Sequence, residues 1–226
     1  MTHLLDNPVW HALNGRQAHL MQGGAIARRY QPDISPWAAL ASDSAAAVDG
    51  LADLVPQGGN VVVAMLTDKP LPSTPRMAAK TFEGVQMVAE KLQPILAADG
   101  VIDLGDADAA EMLELATLTK PGPFVARTHA LGQFVGIRKE GRLIAMAGER
   151  FKLEGHTEVS GVCTHPDWRG RGYAGLLSRI VATRIMERGE VPMLHAFITN
   201  TAAIRLYTEL GFVPRAMLQG AVYGHA

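Results

Sequence analysis

The chain has 226 residues, 48% of them apolar and 19% charged, so it can bury a core and is not disordered throughout. A formal charge of −1 gives no whole-chain attraction to nucleic acid or to an anionic membrane, and the single cysteine, Cys163, excludes a disulfide within the chain. The start lacks the charged leader and apolar run of a signal peptide, and no stretch reaches the ~18 apolar residues of a membrane span; a cytoplasmic protein is expected.

Two halves are expected, 1–98 and 99–226. The first is cut by glycine and proline joints at Gly23-Gly24, Pro32, Pro36, Gly58-Gly59 and the Pro70–Pro75 stretch. Trp37 to Ala47 is rich in alanine and suits a short helix. Val61 to Leu66 is short, apolar and β-branched, which suits a buried strand, and Thr81 to Val88 is a weaker strand candidate. No polar constellation stands out in this half. His3, His11 and His19 are isolated and fit solvent-facing or capping roles.

The second half is more regular. Val101 to Leu104 reads as a strand. Asp106 to Ala116 reads as a helix, with acids in its first turn and Met112, Leu115 and Ala116 on one face. Lys120-Pro-Gly-Pro123 breaks the chain. Gln133–Arg138 and Leu143–Ala147 flank a Gly-containing turn and predict a β-hairpin, followed by a strand over Thr157–Thr164. A helix from about Gly170 to Glu187 carries Leu177, Ile180, Val181 and Ile185 at helical spacing. A strand at Met193–Phe197, a helix at Thr201–Leu210 capped by Gly211, and a last extended segment from Phe212 to Val222 complete the order. The predicted class is α+β: a central mixed sheet flanked by helices.

The segment from Val162 to Leu177 carries the chemistry. A strand ends, a loop holds Pro166, Asp167 and Trp168, and Arg169-Gly-Arg-Gly-Tyr-Ala174 opens a helix. Glycines let a large anion approach the backbone, and the first helical N–H groups lack partners inside the helix. The helix dipole adds about half a positive charge there, and Arg169 and Arg171 add two full ones, which makes a pyrophosphate cradle. Gly170, Gly172 and Gly175 also match the dinucleotide pattern G-x-G-x-x-G. That pattern needs a strand running directly into the glycines and an acid about 20 residues later. Here a proline-bearing loop intervenes and the next strand ends Ala196-Phe-Ile-Thr199 without an acid, so the nicotinamide reading is rejected.

Arg169-x-x-Gly172-x-Ala174 resembles the R/Q-x-x-G-x-G/A signature of the GNAT superfamily of acyl-CoA N-acyltransferases. Asn200-x-x-Ala203-x-x-Leu206-Tyr207-x-x-x-Gly211-Phe212 resembles its second signature, in order and separated by one helix and one strand. The resemblance covers about Asp99 to Val222. It implies the GNAT fold for residues 99–226, with 1–98 as a degenerate GNAT-like half. It also implies acetyl transfer from acetyl-CoA, a co-substrate, to a primary amine by direct attack in a ternary complex, with no metal. The alternatives are a catalytically silent acyl-CoA-binding regulator and an enzyme for a longer acyl-CoA. A homodimer stays open, and neither nucleic acid nor membrane is expected as a partner.

The resemblance also implies residue roles. The strand before the cradle splays from its neighbour, and the pantetheine arm lies in the gap against Val162, Cys163 and Thr164. Arg169, Gly170, Arg171, Gly172, Tyr173 and Ala174 wrap the pyrophosphate. Asn200 and the helix face bearing Ala203 and Tyr207 line the far side. Tyr207 is the acid for the departing thiolate. Glu158, four residues before Val162, stands where some members carry a base, acting directly or through water; His165 and His195 are rivals, although His165 abuts the cradle and suits a local bond. A backbone N–H, that of Cys163, is expected to hold the oxyanion. Cys163 as a nucleophile is disfavoured, because residues two apart on a strand lie about 6–7 Å from each other and His165 is out of reach. Trp168 is a candidate cover for adenine or a packing residue, and Arg179, Arg184 and Arg188 suit a solvated face. The acceptor groove falls to about Leu115–Leu131 and the last strands, where Leu118–Phe124 does not disclose the acceptor.

Overall fold

The computed structural model describes residues 3–92 and 100–226. The expected division between 98 and 99 falls at residues outside this set. The chain opens with a 3-10 turn at Leu4–Asp6 capped by the His3 side chain, then α1 (Pro8–Asn14). A small antiparallel sheet follows, β1 (Met21–Gly23), β2 (Ala27–Tyr30) and β3 (Ala38–Leu40), then α2 (Ala45–Asp53). β4 (Val61–Leu66) and β5 (Met77–Ala89) come next, and β6 (Val101–Leu104) and α3 (Ala109–Thr119) begin the second half. It continues with β7 (Phe134–Lys139), β8 (Arg142–Leu153), β9 (His156–Thr164), α4 (Tyr173–Glu187), β10 (Val191–Phe197), α5 (Thr201–Leu210) and β11 (Phe212–His225).

Eight strands form one mixed sheet in the order β4-β11-β5-β10-β9-β8-β7-β6. Both halves of the chain contribute to it: β4 and β5 embrace β11, and β5 also pairs with β10. The one parallel pair is β9 with β10, and it holds over only three residues, Val191–Met193 against His156–Glu158. Beyond Glu158 and Met193 the two strands part.

Successive strand residues fall into different cores, as period-two alternation requires. Leu194, Val85, Ile144 and Phe212 join Leu177, Ile180, Val181 and Ile185 beneath α4 and α5, while Val61 and Val63 pack with α2. Met193 and Val62 instead meet Val9, Leu13, Tyr30, Trp37 and Phe151 on the face that carries α1. Met112, Leu115 and Ala116, the predicted helix face, are buried on Leu143, Met146 and Cys163.

One expected helix is corrected. Trp37 to Ala47 does not form one element: Ala38–Leu40 is a fully buried strand paired with β2, and Trp37 bridges to Val62. Alanine favours helix, but burial between β2 and β4 outweighs that propensity. The helix starts at Ala45, where Ser44 accepts a hydrogen bond from the N–H of Ala47. Two of the three arginines expected to form a solvated face are paired: Arg184 with Asp103, and Arg188 with the buried Glu149. Ser44→Ala should cost about 1 kcal/mol in urea unfolding, while Asp43→Ala, exposed and before the cap, should change stability by less than about 0.5 kcal/mol. Equal costs would place the helix start elsewhere.

Candidate active site

A cavity of about 710 Å³ passes through the sheet where β9 and β10 separate. Its wall on one side is the cradle and α5; on the other it is Pro8, Val9, Trp37, Val62 and Ala64, from the half that showed no chemistry in its sequence. Thr119–Pro123, Leu218 and Val222 close the rest, within the region expected for the acceptor.

The cradle follows from local backbone rules. After the 3-10 turn Pro166–Trp168, Gly170 and Gly172 take φ of 73° and 80°, the left-handed region that favours glycine. Gly172 is the N-cap of α4, and the first backbone bond runs from the N–H of Leu176 to its carbonyl, leaving the N–H groups of Tyr173, Ala174 and Gly175 outside the helix ladder. A side chain at either glycine would meet nothing within 4 Å, so the loop faces open space with room for a bulky anion. Arg169 donates through Nε to the Thr164 carbonyl, and the Arg171 guanidinium lies 4.5 Å over the Trp168 ring. Trp168 therefore packs against the domain beneath Arg171.

β9 carries a bulge that the sequence reading missed. Gly148 pairs with Ser160 and Met146 with Cys163, so Gly161 and Val162 stand opposite Ala147 alone. Gly161 has φ 63°, and a β-carbon there would press on Phe134. A lone glycine inside a strand pattern was the available signal. Cys163 is buried beside Leu104, Met112 and Phe134, and burial pushes its thiol up to about 11, against the pull of Thr119, Met146 and Arg169. That is an inert thiol, as its packing role requires. The Thr164 hydroxyl is buried without a protein partner among the described residues.

Val162, Cys163, Thr164, Arg169 to Ala174, Asn200, Ala203 and Tyr207 all line this one cavity. Asn200 also caps α5, accepting from the N–H of Ala203. Tyr207 is buried, and burial, then the charge of Glu158, raises its phenol to about 12. His165 does not line the cavity; it accepts from the N–H of Asp167, a local bond.

Glu158 lies behind the wall, fully buried at the point where β9 and β10 part. Arg150 Nε donates to its Oε2 at 2.7 Å and Arg150 Nη2 to its Oε1 at 2.5 Å, while His195 Nδ1 lies 2.6 Å from Oε1. Burial pushes the carboxyl up, but the Arg150 guanidinium outweighs it, the His195 bond adds to this, and the group is held down at about 2. The polar chain continues. Arg215 Nη1 donates to Gln86 Oε1 at 2.7 Å, so Gln86 Nε2 is the amide donor; it serves the Leu5 carbonyl and faces His195 Nε2 at 3.0 Å. His195 thus has the Gln86 amide nitrogen at Nε2 and the Glu158 carboxylate at Nδ1. Arg215 Nη2 ends the chain on Asp6 at 2.6 Å. Arg150, Gln86 and Arg215 had no sequence signal, because their partners lie on other strands.

A family model described as FR47-like protein matches residues 134–218. A protein from Novosphingobium aromaticivorans, assigned to acetyltransferases of the GNAT family, has 38% identity over 100% of both chains and a TM-score of 0.92. The chain belongs to the GNAT family of acetyltransferases. A GCN5-related N-acetyltransferase from Kribbella flavida covers 95% of this chain and 93% of its own at 16% identity, with a TM-score of 0.66. A GNAT-family acetyltransferase from Colwellia psychrerythraea covers 89% and 82% at 13% identity, with a TM-score of 0.55. These two share the fold. No curated protein sequence matches the chain. No helix among the described residues is long and apolar enough to cross a membrane. GNAT acetyltransferases take acetyl-CoA as co-substrate, and the open glycine cradle, the unpaired Thr164 hydroxyl and the cavity between splayed strands fit such a molecule.

The Glu158 carboxyl, near 4.5 when unfolded and about 2 when folded, contributes stability that is fully present above pH 4.5 and is lost as pH falls toward 2. Glu158→Gln should remove this acid-dependent part and lower stability at pH 7 by about 3–5 kcal/mol, because Arg150 is left buried and unpaired. Denaturant titrations from pH 2 to 7 check it; parallel curves for both proteins would contradict the assignment.

Proposed function

We propose that this GNAT protein is an N-acetyltransferase that passes the acetyl group of acetyl-CoA directly to a primary amine within a ternary complex. The observation that carries the reading is the cavity itself: the cradle, the β9–β10 gap and Tyr207 all open onto it, and it continues to an apolar chamber beyond the sheet. In this account Arg169 to Ala174 grip the pyrophosphate, and the backbone of Val162, Cys163 and Thr164 guides the pantetheine arm. A β9 backbone N–H beside the bulge, that of Cys163, receives the developing oxyanion.

The acceptor nitrogen forms the C–N bond as the C–S bond breaks. Tyr207 gives its proton to the departing thiolate. Its hydroxyl has no bond to another group among the described residues and is not shut off from the cavity. From a phenol raised to about 12, transfer to a thiolate near 8.5 is uphill by about 5 kcal/mol, which fits inside a barrier of about 16 kcal/mol for turnover near 10 s⁻¹. The proton shed by the acceptor nitrogen goes to cavity water, and water returns a proton to the Tyr207 phenolate. Glu158 cannot take it directly: the carboxylate is sealed off and both oxygens are bonded. Glu158 instead acts as a positioning residue that holds Arg150 and His195 at the gap. His195, with both ring nitrogens engaged by Glu158 and Gln86, is likewise not a free base.

Thiol release from acetyl-CoA should therefore depend on an added amine. Tyr207→Phe should lower kcat about 100-fold at every pH from 6 to 10, with acetyl-CoA affinity within twofold of the parent. A phenol at about 12 stays protonated across that range, so it adds no alkaline limb. Full turnover by the variant would remove the acid role.

A further inference from the structure

The chamber beyond the sheet identifies a class of acceptor, an inference that rests on the N-acetyltransferase reading above. Its walls are Val9, Trp37, Val62, Phe82, Leu218 and Val222, and among the described residues lining the cavity none is Asp or Glu. A polyamine or an aminoglycoside carries several charges that need carboxylates to replace lost hydration, and this wall supplies none. The charged group at the closed end of the gap is a cation. Arg150 is held edge-on by Glu158 and rests against two rings that also touch each other edge to face, its guanidinium carbon 4.9 Å from Trp37 and 4.5 Å from Phe151. Nε and Nη2 are spent on Glu158. Nη1 has no bond among the described residues, yet it is not a buried unpaired atom, and Arg150 lines the cavity. It is an open donor on a rigid planar group, the geometry that matches a carboxylate oxygen.

Arg150 lines the cavity at its Glu158 end and is not part of the Arg169–Ala174 cradle. We propose that Arg150 Nη1 binds the carboxylate of an apolar α-amino acid whose side chain fills the chamber and whose amine is the acetyl acceptor. The amine and carboxylate of such a molecule are close together, which suits a donor placed at the apex of the gap. The side chain gains by leaving water for apolar walls.

The test is kcat/KM with acetyl-CoA for L-phenylalanine and L-leucine, for phenethylamine and isoamylamine, which keep the body and lack the carboxylate, and for spermidine. The amino acids should exceed their decarboxylated counterparts at least 10-fold and spermidine at least 100-fold. Ala64→Phe, which narrows the chamber away from Arg150, should lower kcat/KM for phenylalanine at least 10-fold. Equal rates for phenylalanine and phenethylamine would overturn the carboxylate site, and preference for spermidine would overturn the class. Calorimetric titration of L-phenylalanine into CoA-saturated protein separates the two levels. Binding without turnover of any amine keeps the site and removes the transferase reading; turnover of other amines without phenylalanine binding removes the site and keeps the transferase.

Discussion

The fold turns on one buried carboxylate. Glu158 sits on β9 at the last rung shared with β10, and burying it is affordable only because Arg150 from β8 and His195 from β10 surround it. Those bonds tie three strands together at the place where backbone pairing ends. The chain of side chains then runs on through Gln86 of β5 and Arg215 of β11 to Asp6. It crosses five adjacent strands at right angles to their length, in the order β8, β9, β10, β5, β11. Beyond this line the strands are free to diverge, and the divergence is the cavity. Structure and function share a cause: the polar line closes one end of the gap, and the glycine cradle of α4 stands at the other.

The same line gives the amino-terminal half a purpose. Asp6 anchors its far end, and α1 and Trp37 cover the sheet above it. Trp37 and Phe151 also pack against the Arg150 guanidinium, so the apolar chamber and the charged line share a wall. The amino-terminal half thereby supplies a wall of the cavity, and β4 and β5 supply the strands that hold β11 in place.

What could be read from the sequence was local. The α5 boundaries and the β7–β8 hairpin follow from glycine punctuation and from periodicity within about fifteen residues. The cradle was legible for the same reason, since Arg169 to Ala174 are consecutive. The polar line was not, because His195 bonds Glu158 across 37 positions, Gln86 faces His195 across 109, and Arg215 reaches Asp6 across 209. Glu158 was noticed only through its distance from Val162, and its partners changed its meaning from a proton acceptor to a fixed charge. The Trp37–Ala47 segment failed in the opposite way: its local propensity was clear, and burial between two sheets overrode it.

In the proposed reaction the gap holds acyl donor and acceptor together, with no acetyl group passing through the buried Cys163. A matrix of initial rates, varying acetyl-CoA against a fixed series of amine concentrations, tests this most directly. The account predicts double-reciprocal lines that intersect to the left of the axis, as a ternary complex requires. Parallel lines, with an acetyl group recovered on the protein in the absence of amine, would contradict it.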